Sequence, residues 1–257
     1  MRPPAPCWQW RFFPLSKCSA IPVAKVKAWL VHLFAVWGRP KRVRVDNGWP
    51  WGSGQDLPPV LSLWLVGLGV EVVWNRPAHP QQNGIVERFN GLLDQWGEPE
   101  SCPGWPEWVT SVERVVRVQR ELYPAVEGKS RIAAYPELLQ NPRRSTERVE
   151  RNFSIQAVHQ FLAEGFWKRS VNKQGQITLY HRPFCVGSQW AGRTVFVRLD
   201  PKSCEWVVRD QQGNELKRHA ATELRADRIQ ALDVSYVKPS ERATREQRPN
   251  PAASYVT

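Results

Sequence analysis

Residues 41–48 read Lys41-Arg42-Val43-Arg44-Val45-Asp46-Asn47-Gly48, and residues 69–75 read Gly69-Val70-Glu71-Val72-Val73-Trp74-Asn75. In the first stretch charge alternates with valine, which predicts a short strand over Lys41–Val45, and Asp46-Asn47-Gly48 is a turn signal. The second predicts a buried strand over Val70–Trp74, closed off by Gly69 and Asn75. Between them, Leu57 to Gly67 is apolar with a proline pair in its first turn, which predicts a helix. Arg76 to Gly84 is a polar loop punctuated by Pro77, Pro80 and Gly84, and Ile85–Trp96 is a further helix ended by Gly97. Strand, helix, strand, helix in this order predicts an α/β layer architecture.

The pattern extends on both sides. Trp8–Leu15 is aromatic-rich and predicts a strand. Pro22 opens a helix in which Val23, Val26, Leu30, Leu33, Phe34 and Trp37 recur at helical spacing, and Gly38 and Pro40 stop it. Trp105–Tyr123 predicts an amphipathic helix. Residues 124–152 are polar and poorly periodic, the composition of a linker, and Phe153–Leu162 predicts a short helix opening a second module. From Trp167 onward the period changes to two. Strands are expected over Ile177–Val186, Thr194–Leu199, Glu205–Arg209 and Glu215–His219, with turns at Asn172–Gly175 and Gln211–Asn214. Short strands separated by turn signals predict a small β-barrel over 153–234. Residues 235–257 carry little apolar content and predict a disordered tail.

The 257 residues are enough for one large domain or two modest ones, and at 42% apolar they can form a core. The formal charge is +12, which suits a polyanionic partner. Its distribution is uneven: residues 1–45 hold nine Lys/Arg and no Asp or Glu, whereas residues 46–110 hold two Arg and eight acids. An acidic island inside a basic chain suits a carboxylate site that meets a phosphodiester, with basic flanks holding the duplex. No run of apolar residues is long enough to cross a membrane as a helix, and no signal-peptide pattern opens the chain. Cys7, Cys18, Cys102, Cys185 and Cys204 are odd in number and widely spaced, which predicts reduced thiols and a cytoplasmic protein.

Two carboxylates stand out. Asp46 falls at the C-terminal end of a predicted strand, and Glu87 in the first turn of a predicted helix, where α/β sheets place functional groups. Two-metal phosphoryl transfer needs carboxylates converging on ions roughly 3.5–4 Å apart, and hard oxygen ligands suit Mg²⁺ or Mn²⁺. The plainer reading is that Asp46 caps its own turn and Glu87 stabilises a helix N-terminus. Both readings stay open on residue pattern alone. Gln82, Asn83 and Arg88 are either contacts to DNA or a solvated polar face. His79 lies between prolines and is either a substrate contact or structural, Asp56 reads as surface, and Glu71 is a poor third ligand.

Val45-Asp46-Asn47-Gly48, followed 41 positions after Asp46 by Glu87 within His79-Pro80-Gln81-Gln82-Asn83-Gly84-Ile85-Val86-Glu87-Arg88-Phe89-Asn90-Gly91, resembles the catalytic core of retroviral-type integrases and insertion-sequence transposases of the Asp-Asp-Glu type. The resemblance implies that Asp46 and Glu87 are the family's second and third metal-binding acids and that Mg²⁺ or Mn²⁺ is the cofactor. It implies a ribonuclease-H-like fold for roughly residues 8–123 within a region 1–123, and a following small β-barrel over 167–230. It also implies double-stranded DNA, both transposon ends and target, as partner. Lys41, Arg42 and Arg44 would join Gln82, Asn83 and Arg88 in holding that DNA. A second copy or a full-length transposase is a further expected partner, and the location expected is cytoplasmic, on the nucleoid. The spacing between the two motif halves is slightly longer than the family's, which implies a modest insertion around Trp49–Gln55.

The chain also departs from the family. The first metal-binding aspartate of such enzymes precedes the Asp-Asn-Gly motif, yet no Asp or Glu precedes Asp46 here. The strand at Trp8–Leu15 looks like the third of the family's sheet, so an N-terminally truncated core, catalytically incomplete by itself, is expected. The alternative is a non-catalytic DNA-binding or regulatory fragment.

Overall fold

The computed structural model describes residues 21–52, 56–76, 79–139 and 149–235. The strand expected over Trp8–Leu15 and the tail beyond Ser235 lie outside them. The fold is mixed α/β, with helices and several separate sheets, and it divides into two compact units.

The first unit comprises residues 1–54 and 68–152. Helix α1 (Val23–Trp37) ends at Gly38, whose φ of 80° is natural only to glycine and whose N–H returns to the Phe34 carbonyl at 2.9 Å. Strands β1 (Arg42–Val45) and β2 (Glu71–Trp74) pair in parallel, with Arg42 opposite Glu71 and Val45 opposite Trp74. Helix α3 (Gly84–Gly97) packs on α4 (Trp105–Glu121). Leu93, Val112, Val115 and Val116 are buried there, with Phe89, Trp96 and Trp108 against them. Within 124–152, expected to be a linker, the described residues contain the short helix α5 (Arg131–Ala134), capped by the Ser130 hydroxyl. α5 packs on α4, with Arg131 hydrogen-bonded to Gln119.

The second unit comprises residues 55–67 and 153–257. Helix α2 (Val60–Gly67) lies in the sequence between the two parallel strands of the first unit, yet it belongs here. Leu61, Leu63, Trp64 and Leu65 are fully buried, and α2 packs on α6 (Ile155–Glu164) and α7 (Ala226–Gln230). A Cβ on Gly67 would come within 2.1 Å of the Phe153 ring, so the close approach requires glycine. The residues before α2 are tied to the sheet. Arg169 donates to both carboxylate oxygens of Asp56, at 2.8 and 2.9 Å, the Trp167 indole donates to the Asp56 carbonyl, and the Tyr180 hydroxyl donates to the Pro58 carbonyl. Asp56, expected to lie at the surface, is exposed and pairs with Arg169. Residues 124–152 fall in the first unit, and the later segment of the second unit begins at Phe153.

Strands β3 (Trp167–Ser170), β6 (Thr194–Asp200), β7 (Glu205–Arg209) and β8 (Glu215–Ala220) form one antiparallel sheet, and β4 (Gln176–Leu179) with β5 (Arg182–Cys185) form a hairpin. The single strand expected over Ile177–Val186 is broken at Tyr180 and His181, both at positive φ (47° and 61°). Neither is a usual left-handed residue, so the turn carried no sequence signal. Among the described residues the strands close no barrel. Instead β5 and β8 meet through side chains, with a His219 ring nitrogen 2.9 Å from the Cys185 carbonyl and its ring 5.3 Å from that of Phe184.

Candidate functional site

The first half of the sequence motif lies at the carboxyl end of β1, beside that of β2, and the second half follows β2 in the chain. Asp46 follows β1 directly and is exposed, and its Oδ1 accepts from the Gly48 N–H at 3.1 Å. Trp51 and Gly52 N–H groups both donate to the Gly48 carbonyl. The loop is so tight that a Cβ on Gly52 would sit 1.8 Å from the Asn47 carbonyl oxygen. The Asn47 carboxamide donates to the Asn75 carbonyl at 2.9 Å, and the Asn75 N–H donates to the Val45 carbonyl at 2.9 Å, so the first residues past each strand are tied together. The Trp74 indole donates to the Trp51 carbonyl at 2.9 Å, which adds a second tie between the Asp46 loop and β2.

From there the connection runs on to Glu87. The Arg76 N–H donates to the Gln82 Oε1 at 3.0 Å, and Gln82 belongs to the 3₁₀ turn Pro80–Asn83 that leads straight into α3. Glu87 is exposed in the first turn of α3, near the positive end of that helix, as its sequence position predicted. A relay of short backbone and carboxamide hydrogen bonds thus joins the Asp46 turn, the end of β2 and the entrance to α3.

The other candidates separate. Lys41 is exposed ahead of β1, and its carbonyl accepts from the Glu71 N–H. Arg42 donates to Glu71 at 2.7 Å across the strand pair, an exposed ion pair of small energetic worth. Glu71 sits at the start of β2, roughly 10 Å from Trp74 at its end at about 3.3 Å per residue, so it lies away from the Asp46 edge. Arg44 is exposed on β1 and Arg88 on α3. Gln82 spends its oxygen on Arg76, which leaves its amide nitrogen as the end that could reach a phosphate. Asn83 lies in the 3₁₀ turn, and His79 immediately precedes it and is exposed. Asn47 and Asn75, which hold the two loops together, were not singled out in the sequence. The signal was present in the Asp-Asn-Gly turn, where the middle side chain is free to reach sideways.

Among the described residues no group of three or more His, Cys, Asp or Glu side chains is placed to hold a metal. Asp46 and Glu87 offer the right donor type. Mg²⁺ is commonly held by one or two carboxylates, with water and substrate phosphates completing its octahedron.

A second titratable cluster lies in the other unit. His159 Nε2 is 3.4 Å from Cys204 Sγ and 3.1 Å from the Leu224 carbonyl. Burial, and then the nearby Glu223 carboxylate, push the Cys204 thiol above its ordinary range, the reverse of what a nucleophilic thiolate needs. Glu223 is fully buried and accepts from the Trp206 indole at 2.6 Å. Burial, seconded by Glu223, holds the Tyr180 phenol protonated far above its ordinary range. These groups pack the core around Trp206.

No known protein-family model matches the chain.

Proposed function

We propose that the chain carries part of a metal-dependent DNA strand-transfer centre of the Asp-Asp-Glu type. In this reading the first unit is a partial ribonuclease-H-like core, and β3–β8 form an open, barrel-like β module that follows it in the chain. Asp46 and Glu87 hold Mg²⁺ or Mn²⁺, which when bound polarises a phosphodiester. Arg88, Arg44, Lys41 and the Gln82 and Asn83 amides lie close in sequence to the two carboxylates and bind DNA phosphates. The observation that supports this reading is the hydrogen-bond relay from the Asp46–Asn47 turn through Asn75 and Arg76 to Gln82 and the start of α3. That relay starts at the carboxyl ends of the parallel strands, where α/β folds bind ligands, and runs to the helix that carries Glu87.

Iron-directed backbone cleavage tests it. Fe²⁺ with peroxide, substituting for Mg²⁺, is expected to cut the chain both at the Asp46 loop and at the start of α3. Excess Mg²⁺ should suppress both cuts, and Asp46→Asn or Glu87→Gln should abolish both. Cutting at one place only, or cutting unaffected by either substitution, rejects the shared site.

A non-catalytic DNA-binding fragment is the second reading. It is favoured by residues 1–45, whose nine Lys/Arg and no acid supply phosphate contacts rather than metal ligands. Under it, duplex binding survives Asp46→Asn together with Glu87→Gln, and no iron-directed cut occurs at either loop.

A further inference from the structure

The outward face of the four-stranded sheet alternates cations with aromatic rings. Lys168 of β3 stands opposite Phe196 of β6, and Phe196 opposite Arg209 of β7. Directly opposed residues share a face in an antiparallel pair, so these three form one row. The next row on that face holds Arg198 of β6, Val207 of β7 and Arg218 of β8, and Phe166, the residue before β3, continues it at the β3 edge. The intervening residues Val195, Val197, Leu199, Trp206 and Val208 are buried on the opposite face.

Phe166 is 71% exposed, and its ring lies 6.2 Å from that of Phe196, tilted by 56°. Lys168 and Arg198 are exposed around the pair, and so is Arg209, which stands opposite Glu215 of β8. The acids of this face gather at the β8 corner instead: Asp200, Glu205 and Glu215 all bind Arg218, at 3.0, 3.3 and 2.8 Å. The Arg198 guanidinium is oriented by the Ala163 carbonyl at 2.7 Å, a contact that leaves its charge uncompensated. The face is therefore polarised, aromatic and basic along β3 and β6 and acidic toward β8.

An exposed ring, Phe166, beside the half-buried Phe196 and among the cations Lys168 and Arg198 suits a strand whose bases are free to stack and whose phosphates lie alongside. A duplex hides the faces of its bases and would use the cations alone. We propose that this face binds single-stranded nucleic acid, with bases stacking on Phe166 and against Phe196 and phosphates held by Lys168 and Arg198. The carboxylates around Arg218 repel the backbone and confine the strand to the β3–β6 side. This site is independent of the Asp46–Glu87 reading, and its failure would leave that reading untouched.

Fluorescence anisotropy on the full chain tests it, with a short labelled oligothymidylate and a blunt duplex as probes over a range of salt. Phe166→Ala is expected to weaken oligothymidylate binding roughly 5- to 150-fold, the effect of losing one stacking ring, while leaving duplex binding nearly unchanged. Phe166→Leu, which keeps apolar bulk without a flat face, is expected to give the same loss, and Phe166→Trp to retain affinity. Lys168→Gln is expected to lower the salt slope for the oligothymidylate by about 0.7. An unchanged melting temperature in the Phe166 variants, expected from the exposure of that side chain, separates binding from folding. Oligothymidylate affinity unaffected by Phe166→Ala combined with Phe196→Leu overturns the proposal, as does an equal loss on both probes.

Discussion

Replacing Trp64 with alanine is expected to destabilise the second unit although the residue lies in the sequence between the two strands of the first. The indole is fully buried, and α2 packs on α6 and α7. Truncating a buried tryptophan removes its transfer energy and leaves a cavity, together about 3–5 kcal/mol. That is a large share of the 5–15 kcal/mol typical of a whole domain. Hydrogen exchange followed by mass spectrometry reads the outcome by segment. Amides of β6 (Thr194–Asp200) and β7 (Glu205–Arg209), if they exchange through unfolding of the unit, should exchange roughly a hundred- to several-thousand-fold faster, since each 1.4 kcal/mol is about tenfold. If α2 instead covered the β1–β2 pair, as its place in the sequence suggests, the loss would fall on 42–45 and 71–74. Protection lost there and kept in β6 and β7 would refute the assignment. The same reasoning predicts that residues 153–235 expressed alone, without 55–67, show no cooperative thermal transition.

Asn47→Ala removes the tie to the Asn75 carbonyl and should cost about 1 kcal/mol; exchange at the end of β2 and iron-directed cutting at α3 should report it together. Gly52→Ala places a methyl against the Asn47 carbonyl and should abolish iron-directed cutting at the Asp46 loop while β6 and β7 keep their protection. Arg218→Met bears on pH. Hydrogen bonds from Arg218 hold the Asp200 and Glu215 carboxyls below their ordinary range in the folded chain. Depressed carboxylate values mean that the contribution is present above the unfolded-state range and is lost as pH falls through the folded values. The stability gap between parent and Arg218→Met should therefore be open at neutral pH and close under acid; a gap that widens on acidification would contradict the network. The purified chain is expected to nick no DNA with Mg²⁺ or Mn²⁺, and nicking that Asp46→Asn abolishes would show its carboxylates sufficient.

Local structure was legible wherever a single face or a punctuating residue carried it. Gly38 stopped α1, and the valine alternation marked β1. Two features escaped for identifiable reasons. The β4–β5 turn uses Tyr180 and His181 in left-handed conformations that sequence rules reserve for Gly, Asn and Asp, so the tertiary surroundings of Tyr180, buried with its hydroxyl on the Pro58 carbonyl, override local preference. The allegiance of α2 escaped because Val-Leu-Ser-Leu-Trp-Leu-Val-Gly is apolar all the way round. Such a helix announces burial without a stripe to say which sheet it joins.

The candidate site divides along the same line. Asp46 and Glu87 were readable because strand ends and helix starts are positions in sequence. The ties between the neighbouring loops were not, because they run through amide groups whose partners are backbone atoms: Asn47 to the Asn75 carbonyl, and Gln82 to the Arg76 N–H. Neither side chain needs a complementary residue type opposite it, so no pattern in the chain records the pairing. The relay also fixes what substitution there can reveal. Asp46→Asn retains an oxygen able to accept from Gly48 and so tests charge alone, whereas Asp46→Ala also removes the turn's own hydrogen bond. A metal-site reading requires the first change to be as damaging as the second to iron-directed cutting. A turn-capping role requires Asp46→Asn to be silent and Asp46→Ala alone to loosen the loop, with faster exchange at Gly48 and, through Asn47, at the end of β2.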